Sequence, residues 1–223
     1  LQVENQYTPY LSDLLNPRQL YILQSVIGQY DTISYQTYGG HTNAEQQRVL
    51  IYPPYYEPTS ADFEIALIEV NYPTKFAELS HGKIMGTVLG TGISRGNLGD
   101  IITDGTRWQF FIEKKMKDYV YMHLDRVGRV NVNLEEQPLS EAVEMTDKWE
   151  IEEIVVSSLR VDVVLAGVLN LSRSRIKSII SEQKVKINWV EIQRPDIDVE
   201  EHDILSVRGF GRVRIGPQLG TTR

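Results

Sequence analysis

The chain has 223 residues, with 41% hydrophobic and 24% charged, a usage that excludes wholesale disorder and is long enough for two compact domains. It contains no cysteine, which removes disulfides, thiol nucleophiles and thiolate zinc sites and fits a reducing cytoplasm. Its 23 Lys+Arg against 30 Asp+Glu give a net charge of -7, yet Val155 to Arg223 carries +3 and Leu1 to Ile154 carries -10. Such a division suggests a polyanion-facing module on an acidic body. Apolar runs such as Val163 to Ala166 fall far below the roughly 20 residues of a membrane helix, so no membrane span is expected. The chain starts at Leu1 with neither methionine nor a signal-peptide pattern, and further residues upstream are expected.

In chain order, Asn16 can cap and Pro17 can open a helix reaching Gly28, because Leu20, Leu23 and Ile27 recur at helical spacing. A strand near Thr32 to Tyr38 follows, then a Gly39-Gly40 turn, a helix after Thr42, and an extended Val49 to Tyr52 stopped by Pro53-Pro54. Residues 1–61 thus read as a small α/β subdomain. From Asp62 the pattern predicts a strand (Phe63 to Val70), a helix (about Lys75 to Leu89), a strand (Trp108 to Ile112), a helix (Glu113 to Leu124) and a strand (Val130 to Leu134). Between Glu135 and Glu153 eight acids stand against Lys148, with Pro138 inside, so residues 135–154 read as an acidic linker.

Residues 155–223 then form their own domain. A helix over Arg160 to Leu169 carries the apolar stripe Val161, Val164, Leu165, Val168. Ser172 or Ser174 can cap a second helix ending near Glu182, and Val185 and Ile187 alternate with Lys184, Lys186 and Asn188 as in a half-buried strand. A last strand runs through Asp203 to Ile215, interrupted at Gly209-Phe210-Gly211. The fold class expected for the whole is α+β.

The densest charge signal lies in NLSRSRIKSIISEQKVKINW, where five cations between Arg173 and Ile187 oppose only Glu182. On a helical wheel with Arg173 at zero, Ile176, Ile179 and Ile180 occupy about 240° to 340°, Lys177 about 40° and Arg175 about 200°. The cations therefore border a buried isoleucine stripe. Arg173 and Lys177 share one edge and can grip neighbouring phosphates, and the helix N-terminus near Ser172 and Ser174 adds anion donors. Lys184, Lys186 and Arg160 are candidates to extend the surface. Charge alone fits a merely solvated basic face equally well.

Resemblance separates the two. SSLRVDVVLAGVLNLSRSRIKSIISEQKVKINW followed by HDILSVRGFGRVRI resembles the small RNA-binding module named after the fourth protein of the small ribosomal subunit. The matching positions are Arg160 and Asp162; Ser172, Arg173 and Ser174; Val185, Ile187 and Asn188; and Asp203, Ile204, Val207 and Arg208. Where that family has glycine, this chain has Gln183, at a turn expected to be left-handed. GTVLGTGISRGNLGDII, HLDRVGR and Asn188-Trp189 extend the resemblance to the YlmH-type proteins of bacteria, which carry the module behind an RNA-recognition-like, ferredoxin-like middle domain, here residues 62–134. That resemblance implies a cytoplasmic, non-enzymatic RNA-binding protein on the large ribosomal subunit, docking on structured ribosomal RNA or transfer RNA, with no cofactor and no small-molecule substrate. Family members are tied to rescue of stalled nascent chains and to a cell-division gene neighbourhood. The RNA-binding residues it points to are Arg160, Ser172, Arg173, Ser174, Arg175, Lys177, Lys184, Lys186, Asn188, Arg208 and Arg212.

Two rivals remain open. The same module is fused to pseudouridine synthases, whose Gly-Arg-Leu-Asp motif Leu124-Asp125 resembles only in part, because Arg126-Val127-Gly128-Arg129 follows and no Gly-Leu-Leu occurs. A purely protein-interaction role in cell division is the other. The glycines from Gly86 to Gly105 lack a phosphate-loop ending and read as packing and turns, with Arg95 beside them. Trp108, Phe110 and Phe111 read as core rather than as stacking rings. The four histidines have no i, i+4 pairing that a metal site would use.

Overall fold

A computed structural model describes residues 8–28, 33–145 and 149–220. The chain is α+β and divides into two compact units, Leu1–Lys148 and Trp149–Arg223. Among the described residues no helix is long and apolar enough to cross a membrane.

The first unit opens with β1 (Tyr10–Leu11), α1 (Pro17–Ile27), β2 (Ser34–Tyr38) and β3 (Arg48–Tyr52). Asn16 and Gln19 close a capping box on α1: Gln19 N–H donates to the Asn16 side chain (3.0 Å) and Asn16 N–H to the Gln19 side chain (2.9 Å). The three strands form an antiparallel sheet in the order β1-β3-β2, and Leu20 and Ile27 of α1 pack with Val49 beside it. The helix expected after Thr42 does not form. Asn43 takes a left-handed φ of 60°, and the Asp100 carboxylate accepts the N–H groups of Glu45 (2.7 Å) and Gln46 (3.0 Å), which holds the segment as a loop.

A second sheet follows, built from β4 (Ile65–Asn71), α2 (His81–Gly90), β5 (Leu98–Thr103), β6 (Trp108–Glu113), α3 (Lys117–His123) and β9 (Asn133–Gln137), with the short pair β7 (Arg126–Val127) and β8 (Val130–Asn131) between. Its antiparallel order, β5-β6-β4-β9, is that of a ferredoxin-like fold. Three boundaries differ from expectation. Ser80 caps α2, so that helix begins at His81 rather than near Lys75. Glu113 ends β6, and a 3₁₀ turn (Lys114–Met116) delays α3 to Lys117. The strand expected over Val130 to Leu134 is two strands, and the second continues to Gln137.

Gly99 marks the strand that the glycine-rich stretch concealed. A Cβ there would lie 2.8 Å from the Phe111 Cβ, so only glycine lets β5 approach β6 this closely. Of the expected acidic linker, residues 135–143 are part of the fold, and residues 146–148 lie outside the described residues. Glu135, Glu136 and Gln137 pair with Glu69, Ile68 and Leu67 of β4, and Val143 is buried. Glu150, Glu152 and Glu153 lie in the second unit.

Both faces of the ferredoxin-like sheet are covered. One packs Ile68, Phe110 and Ile112 against Ile84 and Val88 of α2 and Val120 of α3. The other packs Leu67, Phe111 and Ile102 against Leu50, Phe63 and Val143, with Tyr38, Tyr52 and Tyr56 alongside. This core crosses the boundary expected between residues 61 and 62. Arg48 reinforces it, donating to the carbonyls of Ser12 (2.7 Å) and Phe63 (3.1 Å) and pairing with buried Glu113 at 3.4 Å.

In the second unit, α4 (Val161–Val168) and α5 (Arg173–Ser181) lie on a sheet of order β11-β10-β12-β13: β10 is Val185–Ile187, β11 Val190–Glu191, β12 Ile204–Val207 and β13 Gly211–Arg214. Val161, Val164 and Leu165 meet Ile176, Ile179 and Ile180 and the inward Val185, Leu205 and Val207 in one core. The isoleucine stripe read from the wheel is that core.

Candidate RNA interface

Asp162 organises the helical side of this unit. It sits in the first turn of α4 and is wholly buried, yet two half-exposed arginines reach it. Arg160 approaches side-on, Nε to Oδ1 at 3.1 Å and Nη2 to Oδ2 at 3.4 Å, while Arg173 Nη2 meets Oδ2 at 2.8 Å. Burial works to raise this carboxyl, but the hydrogen bonds from Arg173 and Arg160 outweigh it and hold the group below its ordinary value. The ionised carboxylate fixes both guanidiniums at the junction of the two helices while leaving donors outward.

Ser172 caps α5 by accepting the Arg175 N–H at 3.2 Å. Ser174, Arg175 and Lys177 are exposed on the same helix, and Lys177 lies one turn after Arg173. Arg160, Arg173 and Lys177 gather on one edge of the helix start, where the dipole adds positive potential, whereas Arg175 lies across the exposed face from Lys177.

The strand-borne cations do not join that patch. Lys186 alternates with the inward Val185 and Ile187, and it pairs across the ladder with Ser206, which pairs with Arg212. Lys186 and Arg212 therefore stand on the sheet face opposite the helices. Lys184 and Arg208 lie at the sheet's end, where Arg208 N–H donates to the Lys184 carbonyl at 2.8 Å. Lys184 is paired with Glu182 at 2.5 Å.

Asn188 is committed to the fold. With Trp189 it makes a two-residue turn at φ of 48° and 65°, the backbone a type I′ hairpin requires. Its side chain donates to Asp203 Oδ1 (2.7 Å) and accepts from Ile204 N–H (2.9 Å). Gln183 adopts the left-handed conformation expected of the family's glycine, at φ 58°. Its N–H donates to the Ile180 carbonyl (2.9 Å) and that of Lys184 to Ile179 (3.1 Å), a Schellman cap.

The list read from sequence omitted Asp162, although a lone acid inside the apolar run Val161 to Leu165 is a signal for a buried, paired carboxylate. It also omitted Phe210, exposed at the β12–β13 turn, and Arg214, on the outer sheet side. With Glu150, Glu152 and Glu153 included, the compact unit from Trp149 is formally neutral, so its basic character is a matter of local arrangement.

In the first unit, Arg95 turns its guanidinium onto the Leu98 carbonyl. Asp125 is exposed between α3 and β7, and its carbonyl accepts the Val132 N–H at 2.9 Å. Such a carboxylate has none of the burial that prepares a catalytic base.

Residues 58–141 match a family model described as "Putative RNA-binding domain in YlmH". The chain is 35% identical over 221 residues to the ribosome-associated protein quality control protein P2 of Bacillus subtilis (strain 168), covering 99% of this chain and 86% of that protein. Among solved structures it is similar to the cell division protein ylmH from Streptococcus pneumoniae, with TM-score 0.56 and 38% identity over 64% of this chain and 87% of that one.

Proposed function

The chain belongs to the YlmH family, and from that premise we propose that it is a non-enzymatic RNA-binding protein of ribosome-associated quality control. It acts in the cytoplasm, docking on structured ribosomal or transfer RNA of the large subunit through its second unit. The observation that carries this reading is the Asp162 clamp, which holds Arg160 and Arg173 at the start of α5 on the edge that Lys177 shares. Cations held this way meet phosphates at a fixed spacing and read backbone shape rather than base sequence. The ferredoxin-like domain, which the family model describes as "Putative RNA-binding domain in YlmH", has both sheet faces filled, by Phe110 on one side and Phe111 on the other, so any RNA contact of its own would use edges and loops rather than rings on the sheet.

The test is ribosome co-sedimentation of a variant with Arg173→Glu and Lys177→Glu together. Loss of association with the large subunit is expected. Association equal to wild type would sink this surface as the docking site.

A further inference from the structure

The outer sheet face of the second unit carries a feature that phosphate docking by the helices does not use. The β12–β13 hairpin closes through Arg208, Gly209 and Phe210, with φ of 90° at Gly209 and 120° at Gly211, and Phe210 N–H donates to the Val207 carbonyl at 3.0 Å. Two glycines in backbone that other residues avoid turn the tip so that Phe210 stands out, 53% exposed. Hairpin tips are ordinarily polar. Arg208 and Arg212 stand two residues to either side of Phe210 in the chain, and the alternation of inward Leu205, Val207 and Val213 places Lys186, Arg212 and Arg214 on one side of the sheet. Arg214 lies over the Trp149 ring at 4.7 Å, and Glu191, opposite Lys186, bounds the row at β11.

We propose that Phe210 is a stacking platform for an unpaired RNA base, whose flanking phosphates are held by Arg208 and Arg212. The cations select a polyanion, and the ring selects one that presents a flat π-face. An acidic peptide satisfies only the first condition, and a fully paired duplex keeps its bases stacked on one another. The site is separate from the Arg173–Lys177 patch, which lies across the sheet. It rests on the reading of the second unit as an RNA-binding module.

The test uses the full chain and two probes, a fully paired RNA hairpin and the same hairpin with one bulged adenosine. Wild type is expected to prefer the bulged RNA by about tenfold, within the range of one base–aromatic stack. Phe210→Ala and Phe210→Leu should abolish that preference while leaving affinity for the paired hairpin unchanged, and Phe210→Tyr should retain it. A preference that survives Phe210→Ala overturns the proposal, as does Phe210→Leu behaving as wild type, since leucine keeps apolar bulk without a π-face. The double variant Arg173→Glu, Lys177→Glu should weaken both probes alike. If wild type binds neither probe, the RNA-binding reading itself fails, and the stacking site with it.

Discussion

Gln183 holds a side chain in backbone that glycine ordinarily occupies, and the Schellman hydrogen bonds around it show that the rest of the cap has formed regardless. The left-handed conformation costs a non-glycine residue about 1–2 kcal/mol. Gln183→Gly should therefore raise the stability of the second unit by roughly 0.5–1 kcal/mol in urea unfolding, after allowance for glycine's greater freedom in the unfolded chain. An unchanged or lower midpoint would show that the glutamine side chain makes a compensating contribution. Asp162 is the residue on which the cationic patch depends. Asp162→Asn should cost about 1–3 kcal/mol through weakened charge-assisted hydrogen bonds. Because the folded carboxyl sits below its unfolded value, its contribution is complete above about pH 4 and is lost as pH falls through the folded value. Wild type should thus lose its advantage over Asp162→Asn on acidification, and a constant gap across that range would contradict the linkage.

Among elements, the segment from Leu139 to Val143 is a latch held by one amide. Gln109 is fully buried, donating to Glu69 Oε2 (2.8 Å) and the Glu141 carbonyl (3.1 Å) and accepting the Val143 N–H (2.9 Å). Gln109→Leu should destabilise the first unit by about 2–3 kcal/mol, since it orphans a buried N–H as well as removing bonds. A shift below half that would mean the latch is held chiefly by Val143 packing. This element also shows where sequence was a poor guide. Eight acids and a proline between Glu135 and Glu153 have the composition of a linker, but Leu134 of β9 enters the core while Glu135 and Glu136 stay exposed, and acids on an edge strand are compatible with pairing. Likewise β5 was hidden by Gly99, whose purpose is visible only when Phe111 is beside it. The second unit was far more legible, because Ile176, Ile179 and Ile180 recur at helical spacing and Lys186 alternates with Val185 and Ile187. Its site was legible only in part. The wheel placed Arg173 and Lys177 together, but a linear list could not show that Lys186 and Arg212 face away from them, nor that the Asn188 amide is occupied by Asp203 and Ile204.

Over the whole molecule, charge is divided rather than uniform. The first unit is acidic, whereas the second is formally neutral and concentrates its cations on surfaces. On the proposed reading, net negative charge disfavours indiscriminate adhesion to RNA and leaves docking to the arranged cations. Replacing Glu150, Glu152 and Glu153 together with glutamine should raise retention on unrelated RNA, and unchanged retention would remove repulsion from the account. The most direct test of the central claim, that the helix-borne cations of the second unit dock on RNA phosphates, is affinity for a structured RNA as a function of salt. Wild type should weaken steeply and linearly on a double-logarithmic plot, and replacing Arg173 and Lys177 with alanine should lower affinity and make the slope shallower by about two. An identical slope in that variant would contradict it.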